Sequence, residues 1–192
     1  MDSVSNCILE NFVTVEGLDG AGTTTQTSLI SAFLREQHVP HFLTREPTDG
    51  PIGHLIREIL TSQEPISGTA FTLLFAADRA EHCHGSGGII EHHAAGDLVV
   101  SDRYLASSLA YQSLEVPIGY IQDINRTVPL PSRLIFLTTS VSVCQKRLRT
   151  RNRRTERFDD TAIQRRVFCS YDAALEAMEA SGVIIHRVDG SG

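Results

Sequence analysis

Phe12-Val13-Thr14-Val15-Glu16 runs directly into Gly17-Leu18-Asp19-Gly20-Ala21-Gly22-Thr23-Thr24-Thr25, and an amphipathic stretch follows. The first five residues have the apolar, β-branched character of a buried strand. The glycines let the backbone curl so that successive N–H groups point inward. The N-terminus of the next helix then adds partial positive charge, which makes a cradle for an anion. The spacing is that of the phosphate loop G-x-x-x-x-G-K-S/T, in which Thr24 holds the hydroxyl position that ligates Mg²⁺. The lysine position is filled by Thr23. The backbone cradle survives that change, while a cation near the β- and γ-phosphates is lost.

Outward from the loop, further apolar runs at 41–44, 98–101, 133–137 and 183–186 predict a parallel sheet. Helical periodicity over 24–37 places Leu29, Ile30, Phe33 and Leu34 on one face. It recurs over 53–61 with Ile56, Ile59 and Leu60. A third helix over 69–82 carries Phe71, Leu74, Phe75 and Asp78, and a long one over 159–180 carries Ile163, Val167, Tyr171, Leu175 and Met178. Turn chemistry falls at Glu46–Pro51 and at Gly85-Ser86-Gly87-Gly88. No repeat or linker interrupts the 192 residues, so one doubly wound α/β domain over 1–192 is expected.

With 41% hydrophobic and 21% charged residues, the composition excludes collagen-like and extended disordered chains. No apolar run reaches the ~18–20 residues of a membrane span. A net charge of −6 argues against a general nucleic-acid binder. The four cysteines include no C-x-x-C pair, and Met1–Glu10 lacks a basic-then-apolar leader. A reducing compartment, the cytoplasm, is the expected address. His82, His84, His92 and His93 with Cys83 fit no closed zinc spacing and read as a solvated helix end and loop. Of the 17 basic residues, 16 are arginine, and the single lysine is Lys146.

Five blocks then carry a resemblance: FVTVEGLDGAGTTTQ, LTREP, LLFAADRAEH, DRYLASSLAYQ and an arginine-rich segment ending RTERFDD. In this order and spacing the chain resembles the thymidylate kinases, which move the γ-phosphate of ATP onto dTMP. The resemblance implies a five-stranded parallel sheet with helices on both faces, the P-loop nucleoside-monophosphate kinase fold. It also implies a mobile lid at about 147–158, a homodimer, and ATP with Mg²⁺. Gly17, Leu18, Asp19, Gly20, Ala21, Gly22, Thr23, Thr24 and Thr25 would hold ATP, with Asp19 able to organise metal or phosphate. By the same resemblance Arg45 faces the acceptor phosphate, Phe75 lies under thymine and Arg79 donates to its carbonyl. Ser108, Tyr111 and Gln112 match positions that touch base and deoxyribose, Tyr111 crowding a ribose 2′-OH.

These assignments also make physical sense. The acceptor is a phosphate oxygen already anionic at neutral pH, so catalysis reduces to alignment and charge stabilisation. Phe75 and Arg79 are four apart on one helical face, although an aromatic at that spacing also fits a core. Asp102, at a strand's carboxyl end beside the loop, is placed for Mg²⁺, and Arg103 for bridging both phosphates with its planar fork.

Relatives divide by whether residue 20 or the lid carries a catalytic arginine. Gly20 points to the lid, where Arg149, Arg151 or Arg157 would close over ATP. Eight of the 16 arginines lie between residues 147 and 166. Such a run also fits a solvated face or a modest RNA-binding patch. The chain ends soon after the 183–186 strand, where relatives usually add a helix, so that face is expected to be thinly covered or to meet a dimer partner. Two other functions fit the same residues. One is a kinase of another (deoxy)nucleotide or nucleoside. The other is a nucleotide-binding protein that lost transfer with the lysine. A switch GTPase is disfavoured, since no N-K-x-D motif occurs.

Overall fold

A computed structural model of the chain describes residues 7–62, 64–150 and 156–191. Five parallel strands form one sheet in the order β2-β3-β1-β4-β5. They are β1 (Ile8–Gly17), β2 (His41–Arg45), β3 (Leu98–Asp102), β4 (Leu130–Thr138) and β5 (Ile184–Asp189). Between β1 and β2 lies α1 (Thr23–Glu36), and between β2 and β3 lie α2 (Pro51–Thr61), α3 (Gly68–His84) and α4 (Ile89–Ala94). The crossover to β4 carries α5 (Leu105–Tyr111), a 3₁₀ turn (Gln112–Leu114) and α6 (Ile118–Ile124). Helices α7 (Val141–Thr150) and α8 (Thr161–Ala180) join β4 to β5. Parallel pairing requires such crossovers, and they supply the helices that cover the sheet.

The central strands are fully enclosed: Phe12, Val15, Val99, Val100 and Leu134 are all buried. Val167, Tyr171, Leu175 and Met178 form the buried stripe of α8, as its periodicity predicts. Phe71 is likewise buried in the core. Helix α1 departs from expectation. Leu29 and Phe33 are 58% and 60% exposed, and the buried face is Thr23, Thr27, Ser31 and Leu34. Small residues on that face let the helix approach β1, β2 and β3 closely. At the other edge β5 is mostly exposed, including Ile184 and Val188.

Register places the functional edge. Val15 pairs with Asp102 and Asp102 with Arg45, so the carboxyl ends of β1, β3 and β2 stand side by side. This is where a doubly wound sheet leaves room for a ligand. Among the described residues no helix is long and apolar enough to cross a membrane.

Candidate active site

The loop between β1 and α1 turns through a hydrogen bond from Ala21 N–H to Leu18 O and enters α1 at Gly22. Gly20 and Gly22 have φ of +88° and +105°, a region that side chains other than glycine rarely adopt. A Cβ on Gly20 would also lie 2.7 Å from the carbonyl oxygen of Cys144 in α7. Gly20→Ala is therefore expected to cost at least ~1–3 kcal/mol in stability, from backbone strain alone. Thermal unfolding of the purified variant measures it. Helix α1 has no side-chain cap, and the first N–H groups of a helix have no acceptor within it, which suits an anion there.

Thr24 Oγ1 donates to Asp102 Oδ2 at 2.6 Å, joining the loop to the end of β3. The other carboxylate oxygen, Oδ1, is buried with no hydrogen-bond partner among the described residues. An orphaned carboxylate oxygen beside a hydroxyl fits a hard cation that takes one or two protein ligands and completes its shell from phosphates and water. Both residues line an open cavity of about 460 Å³ that also contains Arg45. Arg45 itself is exposed and paired with Asp49 at 2.6 Å.

Arg103 occupies the junction of two further cavities. One, of about 250 Å³, is walled by the loop residues Asp19, Gly20, Gly22, Thr23 and Thr24. The other, of about 140 Å³, is walled by Phe75, Arg79, Ser108, Tyr111 and Gln112. Asp19 and Glu156 also line both. The Arg103 guanidinium donates to Gly17 O at 2.8 Å, Asp19 Oδ1 at 2.8 Å and Ser107 Oγ at 3.0 Å. Burial works against this cation, but Tyr111 and Asp19 outweigh it and hold its pKa well above the ordinary value. Tyr111 is fixed as well: its hydroxyl accepts from Asp19 N–H at 3.0 Å.

In the smaller cavity Phe75 is half-buried and meets Phe71 edge-on. Arg79 is buried, and its terminal nitrogens donate to Glu46 at 2.6 Å, Ser108 at 2.8 Å and Asn125 at 2.9 Å. Its Nε has no partner among the described residues. The carboxylate of Glu46 also lies 3.1 Å from His82 Nδ1, and His82 Nε2 is 2.7 Å from Thr44 Oγ1. His82 is thus buried and ties β2 to α3, which corrects its reading as a solvated residue. Cys83 is buried too, and His92 sits in α4, stacked on Phe42 and 2.8 Å from Asp97. No three or more His, Cys, Asp or Glu side chains converge as a metal-binding group among the described residues.

The expected lid arginines are dispersed. Arg151 lies outside the described residues. Arg149 is exposed and lines a groove between α7 and α8 with Lys146 and Arg165. Arg157 pairs with Glu115 at 2.9 Å, and its guanidinium lies over the Phe71 ring. The arginine of α7 that reaches the loop is Arg147, donating to Ala21 O at 3.1 Å and Gly20 O at 3.4 Å. Gln164 in α8, fully buried, donates to Asp19 at 3.2 Å and to Phe158 O at 2.8 Å. Neither Arg147 nor Gln164 is marked out by a local motif; only the fold brings them to the loop.

Beneath Arg103 lies Glu16, fully buried. It accepts from Tyr104 N–H at 2.8 Å and from Ser107 Oγ at 2.5 Å. Burial pushes its carboxyl up from 4.5 to about 7, against the lowering influence of Ser107 and Arg103. The folded chain therefore holds this proton more tightly than the unfolded one. Its contribution to stability is largest below pH ~4.5 and is lost as pH rises to about 7. Wild-type Tm is expected to fall across that window relative to Glu16→Gln, and to run parallel to it above the window.

A loop built to hold polyphosphate thus faces, across one arginine, a small cavity with an aromatic wall. That is the layout of a P-loop kinase acting on a small nucleotide. The chain belongs to the thymidylate kinase family: the family model described as thymidylate kinase matches residues 15–189. Proteins named for thymidylate kinase support it. One from Treponema pallidum is 39% identical over 86% of this chain and 79% of its own length. One from Aeropyrum pernix is 36% identical, with 93% and 85% covered, and one from Pyrococcus abyssi 39% identical, with 90% and 86% covered.

Proposed function

We propose that this chain transfers the γ-phosphoryl group of ATP to dTMP, giving ADP and dTDP, with Mg²⁺. The observation that carries the reading is Arg103 between the phosphate loop and the Phe75 cavity. Family membership supplies the reaction class, a nucleoside triphosphate donating to dTMP. Loop N–H groups and the α1 N-terminus hold the donor phosphates. Phe75 stacks under thymine, and Arg79 donates to its carbonyl. Arg45 and Arg103 take the acceptor phosphate, whose anionic oxygen attacks without a general base. Asp102 and Thr24 would hold Mg²⁺, which would supply neutralisation of phosphate charge there. Tyr111, fixed by Asp19, stands where a ribose 2′-OH would crowd it, while Ser108 and Gln112 complete the cavity wall.

The lid, at about 147–158, adds Arg149, Arg151 or Arg157 to the donor phosphates in place of the lysine absent at Thr23. Arg157 must exchange Glu115 for phosphate to do so. The chain works as one domain in the cytoplasm and as a homodimer. Leu55 on α2 and Leu73 on α3, both exposed, offer apolar surface for such pairing.

Coupled ADP release is measured with dTMP, dUMP, thymidine and dCMP, with Thr23→Lys alongside. The expected order places dTMP first in kcat/KM. Calorimetric binding of ATP and dTMP with no dTDP formed would show that transfer has been lost. Phe75→Ala should raise KM for dTMP about 5- to 150-fold, the equivalent of ~1–3 kcal/mol of stacking. An unchanged KM would place Phe75 in the core alone.

A further inference from the structure

Arg103 is held in an unusual way. Its φ is +69°, and it is one of two non-glycine residues with positive φ among those described. Such a backbone persists only where the surroundings over-determine it. Here the N–H groups on both sides of the strained residue are anchored to β1. Arg103 N–H donates to Val15 O at 2.9 Å, and Tyr104 N–H donates to Glu16 Oε1 at 2.8 Å. The other oxygen of Glu16 accepts from Ser107 at 2.5 Å, and Ser107 Oγ in turn accepts from the Arg103 guanidinium at 3.0 Å. Tyr171 of α8 closes the cluster, its hydroxyl 3.1 Å from Ser107 and donating to Gly17 O at 2.9 Å.

We propose that Glu16 is a positioning residue for phosphoryl transfer: it clamps the strained Arg103 turn and, through Ser107, aims the guanidinium at the junction of the two cavities. This rests on the reading of Arg103 given above. A buried carboxylate is costly, and a hydrophobic or amide residue would serve packing alone better. What only the carboxylate offers is two acceptor atoms set at once against a backbone N–H and a hydroxyl. When Glu16 is ionised, the Ser107 proton goes to it and leaves the Ser107 oxygen for Arg103. When it is protonated, its own O–H takes one lone pair of that oxygen and turns the Ser107 proton away, which reorients the hydroxyl that Arg103 bonds.

The titratable groups that face Glu16 are Arg103 from the β3–α5 turn and Tyr171 from α8. Burial and the neighbouring carboxyl push the Tyr171 hydroxyl above its ordinary range, so it stays protonated at neutral pH. The Glu16 carboxyl, pushed up to about 7, is the group that changes charge there.

The test is steady-state kinetics of wild type, Glu16→Gln, Ser107→Ala and Arg103→Ala from pH 6 to 8.5, each with its Tm. Glu16→Gln preserves shape, and it is expected to lower kcat about 10²-fold, the loss a ~1 Å misplacement brings. KM for ATP should stay within a few-fold. Wild-type kcat should climb with pH through a midpoint near 7, and the climb should vanish in Glu16→Gln. Comparing the two proteins cancels any limb contributed by the nucleotides. Ser107→Ala should fall between them. If folded Glu16→Gln keeps wild-type kcat and the same pH limb while Arg103→Ala is inactive, the inference about Glu16 is overturned and the reading of Arg103 stands. If Arg103→Ala keeps wild-type kcat, both fall.

Discussion

Arg103→Ala is expected to lower kcat by about 10³–10⁵-fold, the range for losing an arginine that stabilises a transferring phosphoryl group. Two features make the effect large here. The guanidinium is the only arginine side chain that lines both the loop cavity and the Phe75 cavity among the described residues. It also stands near a loop whose own cation is missing at Thr23. Its bonds to Gly17 O, Asp19 and Ser107 hold the guanidinium at the junction of the two cavities. Arg103→Lys keeps one charge but loses the planar fork, and it should recover only part of the rate. The measurement is kcat at saturating ATP and dTMP. A drop confined to KM would assign Arg103 to substrate capture and not to the transfer step.

Asp102→Asn is the second large effect. Asparagine preserves size and can still accept from Thr24, while the charge and the orphaned carboxylate oxygen disappear. Activity at fixed Mg²⁺ should fall at least about 10²-fold, and the Mg²⁺ concentration giving half-maximal rate should rise in parallel. Thr24→Ala should act on the same dependence. Because both side chains share one contact, the double variant should lose much less than the sum of the two single losses. A Mg²⁺ titration of the four proteins decides it. Additive losses with an unshifted Mg²⁺ midpoint would remove this pair from the metal site.

The sheet was legible because its strands are short apolar runs, and the loop because its chemistry is local: glycines, then hydroxyls, at the head of a helix. The four-residue spacing of Phe75 and Arg79 puts them on one face of α3, and the fold sets both on the wall of one cavity. Long-range partners were not legible. Glu16 reads as the polar end of a strand, and only the turn at Arg103, nearly ninety residues along, shows what it holds. His82 sat among other histidines and looked solvated until β2 brought Thr44 and Glu46 beneath it. Leu29 and Phe33 follow helical periodicity with Leu34, yet close approach to the sheet favoured Thr27 and Ser31 on the buried face. Helix α7 carried so many charges that its apolar contacts, Cys144 and Leu148, were too few to reveal it.

The contact between Gly20 and the Cys144 carbonyl bears on what this chain can become. An arginine at residue 20 would put a cation into the loop itself. Here the backbone of α7 fills the space where that side chain would begin. A single codon change would therefore strain the loop before it supplied any charge. The route reopens only after α7 has moved, which takes compensating changes elsewhere first. Putting a cation into the loop is, for this architecture, a change that one mutation cannot make.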